Sequence, residues 1–351
     1  METSARAYRD LLTLLTVGLL AACGGEEHPS PRPPTVSVSN PPEPGGGALT
    51  QSARASWDWG AIPDDCVVEL PNPPRVRRTV HVRQPQRRLE EAGTRYLIHT
   101  DIEGRLDVLA SDVELIVDEG VRIDELLIHH DLERVRVAGG TFGAIEIMIP
   151  GRFAPPPVTW NEDWLVEDIT IDGVTVESDD TAFAIRGRRV AILNSRATAR
   201  NYSIWLGDTH TFQSHDLLVA GNRFRSAGPE STVRLVAIDG AIVVDNELAN
   251  TRKHAFRIHG RSDNVYFARN RLVDTGVMIG SMDGDQVGSV WLVDNTVHLT
   301  VPSLLVAPPE RIRRLTARGN RVFSDEWDCF VCARGDGWEI GDNPIQSYRA
   351  P

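Results

Sequence analysis

Short runs in which apolar and polar residues alternate recur along the chain from about residue 94. A period of two predicts strands that bury one face and expose the other. Each run contains a Gly or Asn and then resumes as a second alternating run, so the pattern predicts pairs of strands joined by a sharp turn. The predicted turn residues are Gly120, Gly140, Gly173, Asn194, Asn222, Asn246, Asn270, Asn295 and Asn320.

These turn residues follow one another at a mean interval of 25 residues. Self-similarity at such a period indicates a solenoid, in which each coil stacks on the one before it. Gly and Asn both tolerate the left-handed backbone region, so we expect a tight turn at each of them. The six asparagines from Asn194 to Asn320 would then form a column in which each amide bonds to the next.

The asparagine repeat resembles that of the right-handed parallel β-helix in the pectate-lyase-like superfamily. That resemblance implies three strands in each coil, with the asparagine between the second and third strands. We therefore expect an all-β protein, a right-handed parallel β-helix solenoid of about nine coils, with caps at both ends.

Composition divides the chain into five segments. The predictions are a signal peptide over residues 1–23, a disordered linker over 24–56, an N-terminal cap over 57–94, the β-helix over 95–325 and a C-terminal cap over 326–351. The linker contains seven prolines and three consecutive glycines, and it has too little apolar patterning to fold.

The N-terminus carries a targeting signal. Arg6 and Arg9 precede an apolar run of twelve residues, which is too short to span a bilayer and suits a signal peptide. The run ends in Leu-Ala-Ala-Cys-Gly, which resembles the lipobox of bacterial lipoproteins. The resemblance implies that Cys23 is lipidated and that the protein is anchored in the cell envelope, at the outer membrane or cell surface.

Three further cysteines are Cys66, Cys329 and Cys332. An exported protein meets an oxidising compartment, so we expect a structural disulfide. The sequence leaves the pairing open, because three thiols allow more than one choice.

The strand before each turn predicts a functional face. Phe256 and Ile258 alternate with Arg257 and His259, so we expect the first pair to fill the core and the second pair to face solvent. Equivalent positions on neighbouring coils would form one surface with the residues Arg186, Trp205, Asp208, His210, Arg234, Arg257 and His259. A tryptophan ring and arginine forks suit an acidic polysaccharide, whereas the alternative interpretation is an ordinary solvated face.

Three hypotheses of function remain: an acidic-glycan-binding module, a polysaccharide lyase acting on uronate-containing glycans, and a scaffold without a ligand. The superfamily resemblance implies a lysine or arginine as the base of a lyase. The sequence does not identify a catalytic residue, and the candidates are Lys253, Arg257 and His259. Asp208, Asp283 and Asp285 are the available calcium ligands, but they form no clear cluster, so we expect no cofactor. A net charge of −12 argues against nucleic acid as a partner, and we expect a monomer.

Overall fold

The computed structural model describes residues 62–63, 66, 68–147, 166–207, 214–250, 252–280, 286–299, 309–325 and 329–347, and the backbone alone of 37–39 and 305–306. These residues belong to one compact unit, Val36–Pro351. Cys23, Asp208, His210, Asp283 and Asp285 lie outside the described residues.

The strands stack into three parallel sheets that share one interior. The first sheet contains β3 (Arg88–Leu89), β5 (Ile102–Val108), the ends of β6 (Val113–Ile128) and β7 (Glu133–Ile147), β10 (Phe183–Ile185), β13 (Ile204–Leu206), β16 (Val233–Val236), β19 (Phe256–His259), β22 (Val277–Ile279) and β25 (Leu305–Val306). The second contains β2 (Arg78–Val82), β4 (Thr94–Ile98), the starts of β6 and β7, β8 (Glu167–Asp172), β11 (Arg188–Leu193), β14 (Ser214–Ala220), β17 (Ile238–Val244), β20 (Asp263–Ala268), β23 (Val287–Val293), β26 (Ile312–Arg318) and β28 (Trp338–Ile340). The third contains Ile102 at the start of β5, the middle of β6 and β7 around Ile123 and Phe142, β9 (Thr175–Ser178), β12 (Arg196–Ala199), β15 (Arg223–Ser226), β18 (Glu247–Asn250), β21 (Arg271–Val273), β24 (Thr296–His298), β27 (Arg321–Phe323) and β29 (Ile345–Gln346).

This architecture confirms the predicted all-β parallel β-helix. The remaining described elements are β1 (Ser37–Ser39), which pairs antiparallel with β2, and one 3-10 helix, Pro309–Arg311. Parallel stacking already begins at β2 and continues to β28 and β29, so parts of both predicted caps belong to the solenoid.

The interior is built by alternation on short strands. On β19, Phe256 and Ile258 are fully buried while Arg257 between them points outward. The same position as Phe256 is filled on the neighbouring strands by Val233 and Val277, in register. Because parallel strands in register place like residues above one another, each inward position becomes a continuous apolar column.

An asparagine ladder lies inside the corner between the second and third sheets. Asn246 donates from its backbone N and its side-chain Nδ2 to Oδ1 of Asn270, at 3.0 and 2.9 Å. Its Nδ2 also donates to the backbone oxygens of Val219 and Val244, at 3.0 and 2.9 Å. The ladder contains Asn222, Asn246, Asn270, Asn295, Asn320 and Asn343. It therefore satisfies buried backbone groups on every coil that it crosses.

The left-handed backbone position lies one residue before the ladder, which corrects two expectations. The positive-φ residues at this corner are Gly173, Asn194, Gly221, Asp245, Arg269, Asp294 and Gly319, with φ from 50° to 68°. Asn194 belongs to this exposed column and not to the ladder, where Ser195 takes its place and donates from its backbone N to Asn222 Oδ1 at 2.8 Å. The ladder asparagines are not left-handed themselves. The left-handed residue turns the chain, and the next side chain then points inward at the carbonyl groups.

A strap, formed by Cys66 and residues 68–75, crosses the outer side of the second sheet. Its backbone N–H groups at Glu69, Asn72 and Arg75 donate to the carboxylates of Asp216, Asp168 and Asp112 at 3.2, 3.0 and 2.9 Å. These three acceptors occupy the same position on every second coil. Three residues of extended polyproline-type chain advance about 9 Å, close to two strand spacings of about 4.8 Å, so the contacts repeat every three residues.

The strap covers an apolar patch on the outer face of the second sheet. Side chains such as Leu218, Ile242, Tyr266 and Trp291 point outward there and are nonetheless buried. Cys66, Ile62, Val68 and Leu70 pack against them. The sequence pattern did not predict this second core, because an outward apolar residue looks the same whether or not a distant segment covers it.

The disulfide joins Cys329 to Cys332, which answers the question that the sequence left open. Cys66 lies under the strap instead, where its Sγ donates to the backbone oxygen of Asn264 at 3.4 Å.

Substitution of a ladder asparagine tests how much the ladder contributes to the stability of the fold. Replacing Asn246 with alanine removes its bonds to two buried carbonyls and leaves the Asn222 backbone N–H without its acceptor. We expect the free energy of unfolding to fall by about 1–3 kcal/mol in urea denaturation. The matched control is Asn194→Gly, which occupies the exposed left-handed position and should change stability by less than about 1 kcal/mol. Equal losses in the two variants would contradict a stabilising role for the ladder.

Candidate functional site

Three predicted site residues lie side by side on the outer face of the first sheet. Trp205, Arg234 and Arg257 are the second residues of β13, β16 and β19 and are in register. Adjacent parallel strands lie about 4.8 Å apart, so the three side chains form one short column. Ala184 and Met278 occupy the same position on the strands to either side.

An aromatic pair forms one end of this column. Tyr202 stacks against Trp205 with ring centroids 6.4 Å apart and an interplanar angle of 24°. The guanidinium carbon of Arg234 lies 5.7 Å from the Tyr202 ring centroid, within the range of a cation–π contact. Tyr202 is absent from the predicted site, although its position three residues before Trp205 and next to the same strand was a usable signal.

A single carboxylate joins the cationic side chains. Glu230 Oε2 lies 3.7 Å from Lys253 Nζ and 3.9 Å from Arg257 Nη1. Glu230 also accepts a hydrogen bond from the Tyr202 hydroxyl, and burial together with this bond raises the pKa of Tyr202 to about 12. The result is a first-sheet cluster of aromatic, cationic and acidic residues: Tyr202, Trp205, Glu230, Arg234, Lys253 and Arg257.

The expectation that His259 faces solvent is wrong. It is 1% exposed, and its Nε2 accepts a hydrogen bond from Arg234 Nε at 2.7 Å. His259 ends β19 at the corner that leads to the second sheet, where it is in register with the buried Val236. Because this ring is buried and accepts the hydrogen bond from Arg234, it orients the Arg234 side chain and is not itself a surface for a ligand.

Arg186 is also buried, contrary to the expectation that it belongs to the outer face. It follows the last residue of β10, at the corner that leads to the second sheet. Alternation sets whether a side chain points inward or outward only within a strand, so it does not apply at this corner. Arg257 keeps the predicted outward position, but only 11% of its side chain is exposed. Lys253 is the more accessible cation of the two.

His254 is a buried residue beside Lys253 that the predicted site does not include. Neither of its ring nitrogens has a hydrogen-bond partner among the described residues. Burial, followed by the nearby charges of Arg257 and Lys253, lowers the pKa of His254 to about 4. The cluster therefore rests on a neutral histidine that cannot take up a proton without a cost to the fold.

The low pKa of His254 predicts a loss of stability in mild acid. An unfolded histidine titrates near 6.5, so between about pH 6.5 and 4 the unfolded chain takes up a proton that the folded chain does not. We expect this group to lower the free energy of unfolding by about 1–3 kcal/mol between pH 7 and pH 4.5. Urea denaturation at the two pH values measures the effect.

Two variants provide the comparison for this measurement. His254→Leu, which carries no titrating group at that position, should lose less stability on acidification than the wild type. His130→Leu changes a histidine that is 45% exposed and should keep the wild-type dependence. A His254→Leu protein that loses as much stability as the wild type would rule out this origin of acid sensitivity.

No group of three or more His, Cys, Asp or Glu residues in the described part of the chain is arranged to hold a metal ion. In that same part, no helix is long and apolar enough to cross a membrane. Comparisons of the chain with known protein families, with curated proteins and with solved structures found no match. Function therefore has to be inferred from the fold and from the side-chain cluster itself.

Proposed function

We propose that this protein is a lipid-anchored β-helix of the bacterial cell envelope that binds acidic polysaccharide through the first-sheet cluster. The observation that carries the proposal is the Tyr202–Trp205 pair beside three cations, two of which, Lys253 and Arg257, share the carboxylate of Glu230. Stacked aromatic rings offer a flat apolar surface to a sugar ring, and the excess of positive charge suits its carboxylate or sulfate groups.

The contacts assign different roles within the cluster. Trp205 is partly exposed and lies beside Arg234, so both can contact a chain that lies along the column. Lys253 supplies accessible positive charge at the edge. Arg257 and His259 mainly hold Glu230 and Arg234 in place, which makes the surface ready for a ligand before it arrives.

The alternative of a polysaccharide lyase gains no specific support from these contacts. Lys253 and Arg257 share Glu230, and His259 is buried, so none of the three stands out as the group that would accept a proton. The scaffold alternative predicts no ligand at all. Titration calorimetry with oligosaccharides separates the scaffold alternative from a glycan-binding protein.

Isothermal titration calorimetry with uronate-containing and neutral oligosaccharides tests the binding face. Trp205→Ala should weaken binding of the uronate oligosaccharide by about 0.5–1.5 kcal/mol, because it removes a stacking surface. Lys253→Ala should weaken binding mainly at low salt, since exposed charges are screened within about 8–10 Å at ordinary ionic strength. Arg95→Ala is the matched control, because Arg95 is paired with Glu114 on the second sheet. Equal binding of both sugar classes, or unchanged binding in Trp205→Ala, would exclude this face as the site.

The anchoring part of the proposal has its own test. Replacing Cys23 with serine removes the sulfur to which lipid would be attached, so the protein should move from the membrane to the soluble fraction of the cell envelope. Fractionation followed by immunoblotting measures this shift. A wild-type protein that is already found in the soluble fraction would show that Cys23 is not an anchor.

A further inference from the structure

The outer face of the third sheet carries a row of arginines that is independent of the first-sheet cluster. The first residues of six successive strands, β12, β15, β18, β21, β24 and β27, are in register and point outward. Four of the six are arginine, and Arg225 adds a fifth in the neighbouring outward column. We name these residues the third-sheet stripe: Arg196, Arg223, Arg225, Arg271 and Arg321.

Only some arginines of the stripe form ion pairs with carboxylates of the described residues. Glu247 is the one acidic residue in the two outward columns of these six strands, and it pairs with Arg223 at 3.0 Å and Arg271 at 3.4 Å. Among the described residues, no carboxylate lies within 4.0 Å of the guanidinium groups of Arg196, Arg225 or Arg321. A protein of net charge −12 thus places five arginines against one glutamate in the two outward columns of these six strands.

The later strands of the same face, β24 and β27, also carry two stacked rings. His298 stacks on Phe323 with centroids 4.7 Å apart and an interplanar angle of 7°. Burial, followed by the charge of Arg271, lowers the pKa of His298, which keeps the ring neutral at neutral pH. Val273 is in register with His298, so an apolar strip runs beside Arg271 and Arg321.

We infer that the third-sheet stripe binds an extended acidic polysaccharide that runs along the solenoid axis. Arg223, Arg271 and Arg321 lie on every second strand, so they are separated by about 10 Å at each step. A pyranose ring in an extended chain has a length close to one strand spacing, so a glycan with an acidic group on alternate sugars presents its charges at the same steps. The rings between these charges can lie on the strip formed by Val273, His298 and Phe323.

The spacing of the stripe favours such a glycan over nucleic acid. Duplex DNA carries one charge per about 1.7 Å of axis, which is much denser than the arginines of this face. An acidic protein repels a polymer of that charge density away from the stripe. The acidic groups of the glycan have the same spacing as the arginines of the stripe, so its binding does not require positive charge elsewhere on the protein.

The inference shares its class of ligand with the proposed function but uses different residues, so each can fail alone. The probe is a set of hyaluronan oligosaccharides of increasing length, which carry one carboxylate on every second sugar, measured by titration calorimetry. Affinity should rise with length until the oligomer spans from Arg223 to Arg321, about 19 Å, and then level off.

Charge-neutral variants assign this binding to the stripe. The double variant Arg271→Gln with Arg321→Gln should lower the affinity for the longest oligomer at least tenfold and reduce its dependence on salt. Arg95→Gln on the second sheet should leave the affinity within twofold of the wild type. Equal thermal midpoints confirm that the variants are folded, which is expected because the substituted side chains are on the surface.

Several outcomes would overturn the inference. It fails if no hyaluronan oligomer binds, if the double variant binds as the wild type does, or if affinity is lost only in Trp205→Ala. It also fails if a single-stranded DNA of equal length binds more tightly than hyaluronan at the same salt concentration. Loss of affinity in the double variant with no effect of Trp205→Ala would support the stripe and exclude the first-sheet site as the place where this glycan binds.

Discussion

The structure depends on one repeated corner, where a left-handed residue turns the chain and the next residue points an amide into the interior. The turn leaves backbone carbonyls of the second sheet directed toward a buried space that water does not reach. The ladder amides satisfy these carbonyls and bond to one another from Asn222 to Asn343. Burying such groups without partners costs about 1–3 kcal/mol each, so the regular corner keeps every coil in register with the next.

Register at the corner sets register on all three faces. Since strands of the same sheet are aligned residue by residue, a side chain's place in its strand decides which neighbours it meets several coils away. This is why Trp205, Arg234 and Arg257 become neighbours, and why Arg196, Arg223, Arg271 and Arg321, at successive separations of 27 to 50 residues, form a stripe on the third sheet. The three outer faces nevertheless differ in their residue types. The fold requires apolar residues only in the inward columns, so the residues of the outward columns can differ from sheet to sheet.

The second sheet shows that an outward position need not be a surface. Its outward column is charged on the early coils, where Arg95, Glu114 and Arg136 bond in sequence, and apolar on later ones. The strap covers the apolar part and is held by aspartates at left-handed positions. Arg134, by its hydrogen bonds, keeps the pKa of Asp112 below its ordinary value, so this acceptor stays ionised for the Arg75 N–H. The two faces left uncovered by the strap are those that carry the proposed binding sites.

The sequence by itself determined the fold class, because alternation with a period of two and a recurring asparagine are local signals that are present in coil after coil. It also indicated that Trp205, Arg234 and Arg257 share a face, since the alternation fixes direction inside a strand. Only the tertiary structure decided what happens where strands end and where distant segments meet. His259 and Arg186 are buried because they lie at corners, and Asn194 precedes the ladder because the left-handed residue and the inward amide are neighbours. Glu230 and the strap join their sites through contacts between coils or across many residues, and no local pattern records such contacts.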